Sequence, residues 1–317
     1  MPVANKGLPG AGTGQRGATK SQSSASPRRV VAKTGAQGAA RQEARTQGQT
    51  LSIAVLSGKG GVGKSNVTLN LGLALQNAGA RVLVLDGDLG LANVDVLMGF
   101  TPGGTLWDVL QGRTDLASVL HTDVSGLNVL PAASGTGNQA QLDAKSCQQL
   151  IKSVRPLAEK HDFVLLDLGA GLSDTVRLLA RACAVPLVVT TPEPTAIADA
   201  YALIKVLNKS HNMSNFQIVV NNVFGEDEVA LTRTRLVGAS RKFLQITPKI
   251  LGSIRHDPAL QEAVCRRVPL LRLSPEAPAS QDIAALAKKL KSLRRKMMTE
   301  GMLSPCLTLR RKNPVQQ

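Results

Sequence analysis

Nine residues constrain this chain more than any others: Ser57-Gly58-Lys59-Gly60-Gly61-Val62-Gly63-Lys64-Ser65. Gly58 and Gly63 are separated by four residues and followed by Lys64 and Ser65, the spacing of a phosphate-binding loop. The apolar run Leu51-Ser52-Ile53-Ala54-Val55-Leu56 ahead of it has the character of a buried strand. Behind it Val67, Leu71, Leu75 and Ala78 recur at helical spacing until Gly79 stops the pattern. Strand, glycine loop and helix form the geometry that phosphate needs. Glycines let backbone N–H groups curl around an anion, and the helix N-terminus adds partial positive charge. Lys64 is expected to reach the β- and γ-phosphates of a nucleoside triphosphate, and the Ser65 hydroxyl to ligate Mg²⁺. The nucleotide contacts expected here are Gly58, Lys59, Gly60, Gly61, Val62, Gly63, Lys64, Ser65 and Asn66. A glycine-rich turn without ligand is the bland alternative, and the flanking strand, helix and lysine together weigh against it.

From residue 51 onward, runs rich in Val, Leu and Ile alternate with helical patterns. Strands are expected at 51–57, 81–86, 127–130, 163–167, 185–191, 216–221, 249–254 and 268–273. Helices are expected at 64–78, 140–159, 194–208, 227–244 and 279–298. Continuous apolar strands suit a parallel sheet covered on both faces, and the alternation predicts a doubly wound, mostly parallel α/β domain. Ligands of such sheets bind at the carboxyl ends of strands, where the glycine loop already lies.

The formal net charge is +16, and residues 1–50 contribute +7 of it and residues 288–317 contribute +8, leaving +1 for the middle. Three segments follow: a basic, disordered tail over 1–50, an α/β domain over 51–290, and a basic C-terminal tail over 291–317, amphipathic at its start. The first tail is Gly-, Ala-, Ser-, Gln- and Arg-rich with almost nothing apolar to bury, hence the expectation of disorder. It lacks the apolar core of a secretory signal. No run of 18 apolar residues is long enough to span a membrane as a helix. Cys147, Cys183, Cys265 and Cys306 are scattered without a Cys-x-x-Cys pair, which suits a reducing compartment and argues against a metal or iron–sulfur site.

Two further stretches carry carboxylates at strand ends. Asp86-Gly87-Asp88 closes the second strand, and Asp88-Leu89-Gly90-Leu91-Ala92-Asn93-Val94-Asp95 follows. Carboxylates beside a glycine suit a wet site near a metal–triphosphate, where one of them can orient an attacking water. The bland alternative is that Asp86 or Asp95 caps the helix that follows. At 163–167 four apolar residues end in Asp167, the form in which a carboxylate holds Mg²⁺. Leu168-Gly169-Ala170-Gly171 after it has the glycines of a moving switch.

Lys59, on the outer lip of the loop, gives Lys-Gly-Gly-Val-Gly-Lys, which resembles the deviant phosphate-loop ATPases of the MinD/ParA family. In that family this lysine reaches the phosphates of the facing subunit in an ATP-bound homodimer. The resemblance implies catalytic roles for Lys59, Lys64 and Asp88, the last positioning water, in the hydrolysis of ATP to ADP and phosphate. It implies Ser65, Asp167 and Asp86 around Mg²⁺, Asn93 on a switch segment, and Asn221 and Asp257 near the base. Leu168 departs from the small or hydroxyl residue that relatives often carry. The segments Asp88–Gly99, Pro131–Gly135 and Glu193–Lys205 narrow the likeness to the FlhG/FleN branch of flagellar-number regulators. That branch implies work against the GTPase FlhF, restraint of the flagellar master transcription regulator, and a cytoplasmic location with peripheral attachment to anionic inner-membrane lipids, at the cell pole. Two other readings remain: a ParA-type DNA-binding partition protein, which the near-neutral middle of the chain disfavours, and a non-catalytic nucleotide-binding adaptor. Leu286, Leu290, Leu293 and Met297 form one apolar stripe with Lys288, Lys289, Lys291, Arg294, Arg295 and Lys296 around it. Such a helix either packs on the domain or lies in a membrane interface.

Overall fold

Strands of β-branched and leucine residues alternate with helices from Leu51 onward in the computed structural model, which describes residues 49–88, 93–132, 142–303 and 305–309. Most of the tail expected to be disordered, residues 1–48, lies outside the described residues, as do 89–92, 133–141, 304 and 310–317. β1 (Leu51–Leu56) leads through the glycine loop into α1 (Lys64–Asn77), and β2 (Val82–Gly87) follows. Three short helices, α2 (Val94–Met98), α3 (Leu106–Leu110) and α4 (Leu116–Val119), precede β3 (His121–Thr122) and β4 (Asn128–Leu130). Then come α5 (Ala144–Ala158), β5 (Phe163–Leu168), α6 (Asp174–Ala182), β6 (Val185–Thr190), α7 (Pro194–His211) and β7 (Gln217–Val223). The chain continues through α8 (Glu226–Thr232), a π-helical turn over Arg233–Val237, α9 (Gly238–Leu244) and β8 (Lys249–Arg255). It closes with α10 (Pro258–Arg266), α11 (Leu270–Leu273) and α12 (Pro278–Thr299).

The described strands form one eight-stranded sheet in the order β3-β4-β2-β5-β1-β6-β7-β8, parallel except where β3 meets β4. β1 lies between β5 and β6, so the glycine loop leaves the sheet at its centre. Successive side chains of a strand point to opposite faces. Ile53 and Val55 accordingly join one apolar layer with Leu71 and Leu75 of α1 and Leu286 and Leu290 of α12. Ala54 and Leu56 join the other, with Leu150 and Val154 of α5 and Leu203 and Leu207 of α7. Both faces are covered, which is why these strands carry no polar alternation.

One expectation needs correction, and two gain detail. Residues 268–273 are not a strand: Pro269 opens a helical turn, and the amides of Arg272 and Leu273 both donate to its carbonyl. A short apolar run is compatible with either state. The helix expected over 227–244 is present as one continuous helical run, Glu226–Leu244, that contains the π turn. Thr232, Thr234 and Ser240 donate their hydroxyls to carbonyls four residues back, a habit that bends helices. The boundary drawn at 290 falls inside α12, which runs on to Thr299.

That helix also decides between the two readings of its apolar stripe. Leu286, Leu290 and Met297 are buried and Leu293 is packed against the same layer, so the second half of the stripe is covered by the domain as the first half is. Gly252 of β8 makes room: a Cβ there would lie 2.7 Å from Leu286. Several of the surrounding cations are tied down as well. Lys289 donates to the Leu251 carbonyl at 2.7 Å, and Lys291 to that of Ala78. Arg294 bonds the Gln49 carbonyl and the Asp162 carboxylate, each at 3.0 Å, with its guanidinium over the Phe163 ring. Farther on, Cys306 and Leu307 are buried, and Arg155 holds the Leu307 carbonyl at 2.7 Å.

Candidate functional site

The glycine loop is shaped by residues that only glycine replaces easily. Gly61 and Gly63 sit at φ +81° and +88°, left-handed values that side chains disfavour. A Cβ at Gly60 or Gly61 would meet nothing within 4 Å, so this side of the loop is open. At Gly58 a Cβ would lie 2.3 Å from the Asp199 backbone, because the loop presses directly against α7. α1 begins at Lys64 with no capping side chain at Gly63, leaving its first-turn amides for an anion. The Gly171 amide donates to the Ser57 carbonyl at 2.9 Å, joining the loop to the glycines after β5.

Lys64 points inward. Its Nζ lies 2.8 Å from Asp167 Oδ1 and 3.4 Å from Ser65 Oγ, with the lysine 8% and the aspartate 1% exposed. Thr68, one helical turn beyond Lys64, donates to the same Asp167 oxygen at 3.0 Å. An ammonium, two hydroxyls and a carboxylate at a strand's end therefore converge. The hydroxyl and carboxylate oxygens are hard donors of the kind Mg²⁺ takes together with phosphate and water, and the ammonium suits the phosphate oxygens. Among the described residues no cluster of three or more His, Cys, Asp or Glu could hold a metal by itself. The donor set fits a Mg²⁺–phosphate complex that brings most of its own ligands.

Parallel register places Asp86 of β2 beside Asp167 of β5. Asp86 is 1% exposed, and burial, then the Asp167 charge, push its pKa up to about 7. Its Oδ1 accepts the Asp88 amide at 3.1 Å, and its Oδ2 accepts the amides of Asn93 and Val94 at 3.1 and 3.2 Å. These contacts give Asp86 a capping role beside the one expected of it at the metal. Asp86 satisfies the amides at the N-terminus of α2 and ties down both ends of the Asp88–Asn93 segment. Asp95, the other candidate cap, instead lies inside the first turn of α2. Asp88 is half-buried beside the second switch, and a Cβ on Gly169 would sit 3.4 Å from its carboxyl carbon. Asn93 is exposed at the start of α2.

The two residues expected near the base both bond backbone groups of the chain itself. Both oxygens of Asp257 accept backbone amides at 3.0 Å, from Ala259 and Ala279, so this carboxylate caps α10 and joins it to α12. Asn221, 5% exposed, donates its carboxamide to the Val62 carbonyl at 2.8 Å. Its neighbour Asn222 is the exposed one, bonded to His256 Nδ1 at 2.8 Å. His256 stacks on Phe224 and has no catalytic neighbour in these contacts.

The environment of Lys59 was not legible in the sequence. Its Nζ bonds Glu193 Oε2 at 2.9 Å and Thr195 Oγ1 at 3.1 Å, at the start of α7, with 41% of the lysine side chain exposed. Glu193-Pro194-Thr195 drew notice as a resemblance. A pairing across 134 residues leaves no local spacing to read.

The ParA family profile, described as NUBPL iron-transfer P-loop NTPase, matches residues 49–291. Antiactivator FleN of Pseudomonas aeruginosa is 40% identical over 76% of this chain and 86% of its own length. The flagellum site-determining protein YlxH of Helicobacter pylori is 32% identical over 76% of this chain and 82% of its own. Among solved structures, septum site-determining protein MinD of Pyrococcus horikoshii, complexed with Mg-ADP, superposes with a TM-score of 0.65 at 27% identity, covering 77% of this chain and 97% of its own. Nucleotide and magnesium thus occupy this fold in a relative, and the loop, lysine and aspartate that such binding needs are all present here. The chain belongs to the MinD/ParA family of phosphate-loop ATPases, in the branch of the flagellar regulators FleN and YlxH.

Proposed function

We propose that the protein is an ATP-driven switch that sets flagellar number and placement, closing as a homodimer with ATP and Mg²⁺ and opening on hydrolysis. The observation that carries this reading is the contrast between two lysines of one loop. Lys64 is buried against Asp167, at the foot of the loop, whereas Lys59 stands on the outer lip, 41% exposed, its ammonium resting on Glu193 and Thr195 instead of inside the loop. A lysine so placed is suited to phosphates held by a second copy. Hydrolysis breaks the bond from the γ-phosphorus to the bridging oxygen of ADP as water attacks in line, so most of the catalysis is positioning and charge. Lys64 turns from the Asp167 oxygen toward the phosphates, and Asp167 and Ser65 become free to take the metal side. Magnesium neutralises charge on the phosphate oxygens when bound. Asp88 orients the water, held in place by the Asp86 bond to its amide. The two states would differ in affinity for a flagellar transcription regulator and for the GTPase FlhF. Peripheral attachment to the inner membrane would use a surface other than the covered stripe of α12.

The test is made in cells whose only copy carries Lys64→Ala or Lys59→Ala, with flagella counted per cell. Both variants should change the count, although Lys59→Ala should still bind ADP in vitro. An unchanged count with both would remove the flagellar reading.

A further inference from the structure

Pro305-Cys306-Leu307-Thr308-Leu309 is an apolar island in a basic tail, with Arg310-Arg311-Lys312 directly after it. It is seated on the domain. Cys306 and Leu307 are 1% and 2% exposed, and Leu309 packs against the same apolar layer as α5 and α6. Hydrogen bonds hold the backbone as well. Arg155 of α5 donates to the Leu307 carbonyl at 2.7 Å, and the Thr308 amide donates to the Ala182 carbonyl at 3.1 Å. Ala182 is the last residue of α6, where helix carbonyls lack partners of their own, so the segment caps that end. Leu307 does this with a left-handed φ of +49°, a conformation that leucine keeps only where its surroundings hold it.

The helix so capped adjoins both carboxylate-bearing strand ends. α6 starts from Ser173, whose hydroxyl accepts the Val176 amide at 3.2 Å, immediately after the glycines that follow β5. Farther along α6, Leu179 reaches the end of β2: a Cβ on Gly87 would meet Leu168 at 2.7 Å and Leu179 at 3.8 Å. Gly87 stands between Asp86 and Asp88, and Leu168 follows Asp167. The helix has 9 residues, a length of about 14 Å, and moves as one body. A shift where the tail grips Ala182 is therefore felt at Ser173 and at Gly87. We infer that Pro305–Leu309 is a brace: by holding α5 and α6 together it positions the second switch, and with it the carboxylate that orients the attacking water. This rests on the reading that Asp88 and the Asp167–Gly171 segment serve hydrolysis, and it adds a positioning element from a part of the sequence remote from the site.

The test compares the full chain with Leu307→Asn and Arg155→Ala. Asparagine accepts the left-handed φ and removes the apolar anchor, while Arg155→Ala removes the donor to the Leu307 carbonyl, and either variant serves if the other fails to fold. Alkylation by N-ethylmaleimide, read by mass spectrometry, reports whether the brace is seated. Exposed Cys265 should react in every protein, and buried Cys306 only in the variants. Affinity for ATP·Mg²⁺ and its single-turnover hydrolysis are then measured below each melting temperature. Hydrolysis should slow about ten- to a hundredfold, the cost of a displacement near 1 Å, with affinity changed by less than about twofold. A merely structural role would lower the melting temperature and leave the rate of the folded protein as it was. Reactive Cys306 with unchanged hydrolysis would overturn the inference, as would Cys306 still protected in both variants. Equal losses of affinity and rate would place the effect at the glycine loop and overturn it too. An unmutated chain that binds ATP·Mg²⁺ without hydrolysing it would instead bring down the hydrolysis reading, and the inference with it.

Discussion

Lys64 and Asp167 form a pair whose partners are 8% and 1% exposed, so neither charge can turn to water if the other is removed. Lys64→Ala should therefore cost about 3–5 kcal/mol of stability as well as nucleotide binding. Adding Asp167→Asn should restore much of the stability and none of the binding. Urea denaturation of both variants checks this, and a single variant as stable as the parent would contradict it. Lys59 and Glu193 behave differently, being 41% and 60% exposed, and an ion pair in such surroundings contributes about 0–1 kcal/mol. Glu193→Gln should leave stability almost unchanged and lower, several-fold, the ATP concentration at which assembly is half-complete, because Lys59 no longer has to leave a charged partner. A titration of assembly against ATP reads this directly. The loop residues were legible in the sequence because phosphate recognition fixes residue type and spacing within nine positions. What the sequence could not show of Asp257 is that two backbone amides, one of them 22 residues away, bond its oxygens. For Asp86 the local cap expected from its neighbours is present in its bonds to the Asn93 and Val94 amides.

At the scale of elements, α7 and α12 carry the largest consequences. Gly58 presses on the α7 backbone so closely that Gly58→Ala must displace either the loop or the helix. Weaker ADP binding is expected, and an unaltered dissociation constant would show that the loop and α7 move independently. In α12, Leu290 is 0% exposed. Leu290→Ala should lower stability by about 2–5 kcal/mol, as for other buried leucines, whereas a stripe reserved for lipid would tolerate the change. The sheet was legible because strands buried on both faces need unbroken apolar runs. The switch of 268–273 from strand to helical turn was not, because four apolar residues fit either state and the proline decides only in context. The apolar stripe of α12 is likewise visible in sequence, but what covers it is a property of β8, α1 and Gly252.

Across the whole molecule, charge and chemistry are divided. Residues 51–287 carry a net charge near +1 and hold the site, and the excess lies in the terminal segments. Retention on DNA at low salt should accordingly weaken when residues 1–48 and 310–317, which carry +7 and +3 of the charge, are removed. Salt-sensitive binding that requires ATP and survives this truncation would favour a partition-type role instead. The central claim is that ATP joins two copies, with Lys59 serving the facing site and Asp88 governing its release. Light scattering coupled to size exclusion, applied to the Asp88→Ala protein with ADP·Mg²⁺ and then with ATP·Mg²⁺, tests it most directly. A monomer with ADP that becomes a lasting dimer with ATP is the expected result. A monomer in both would contradict the switch, and with it the role given to Lys59.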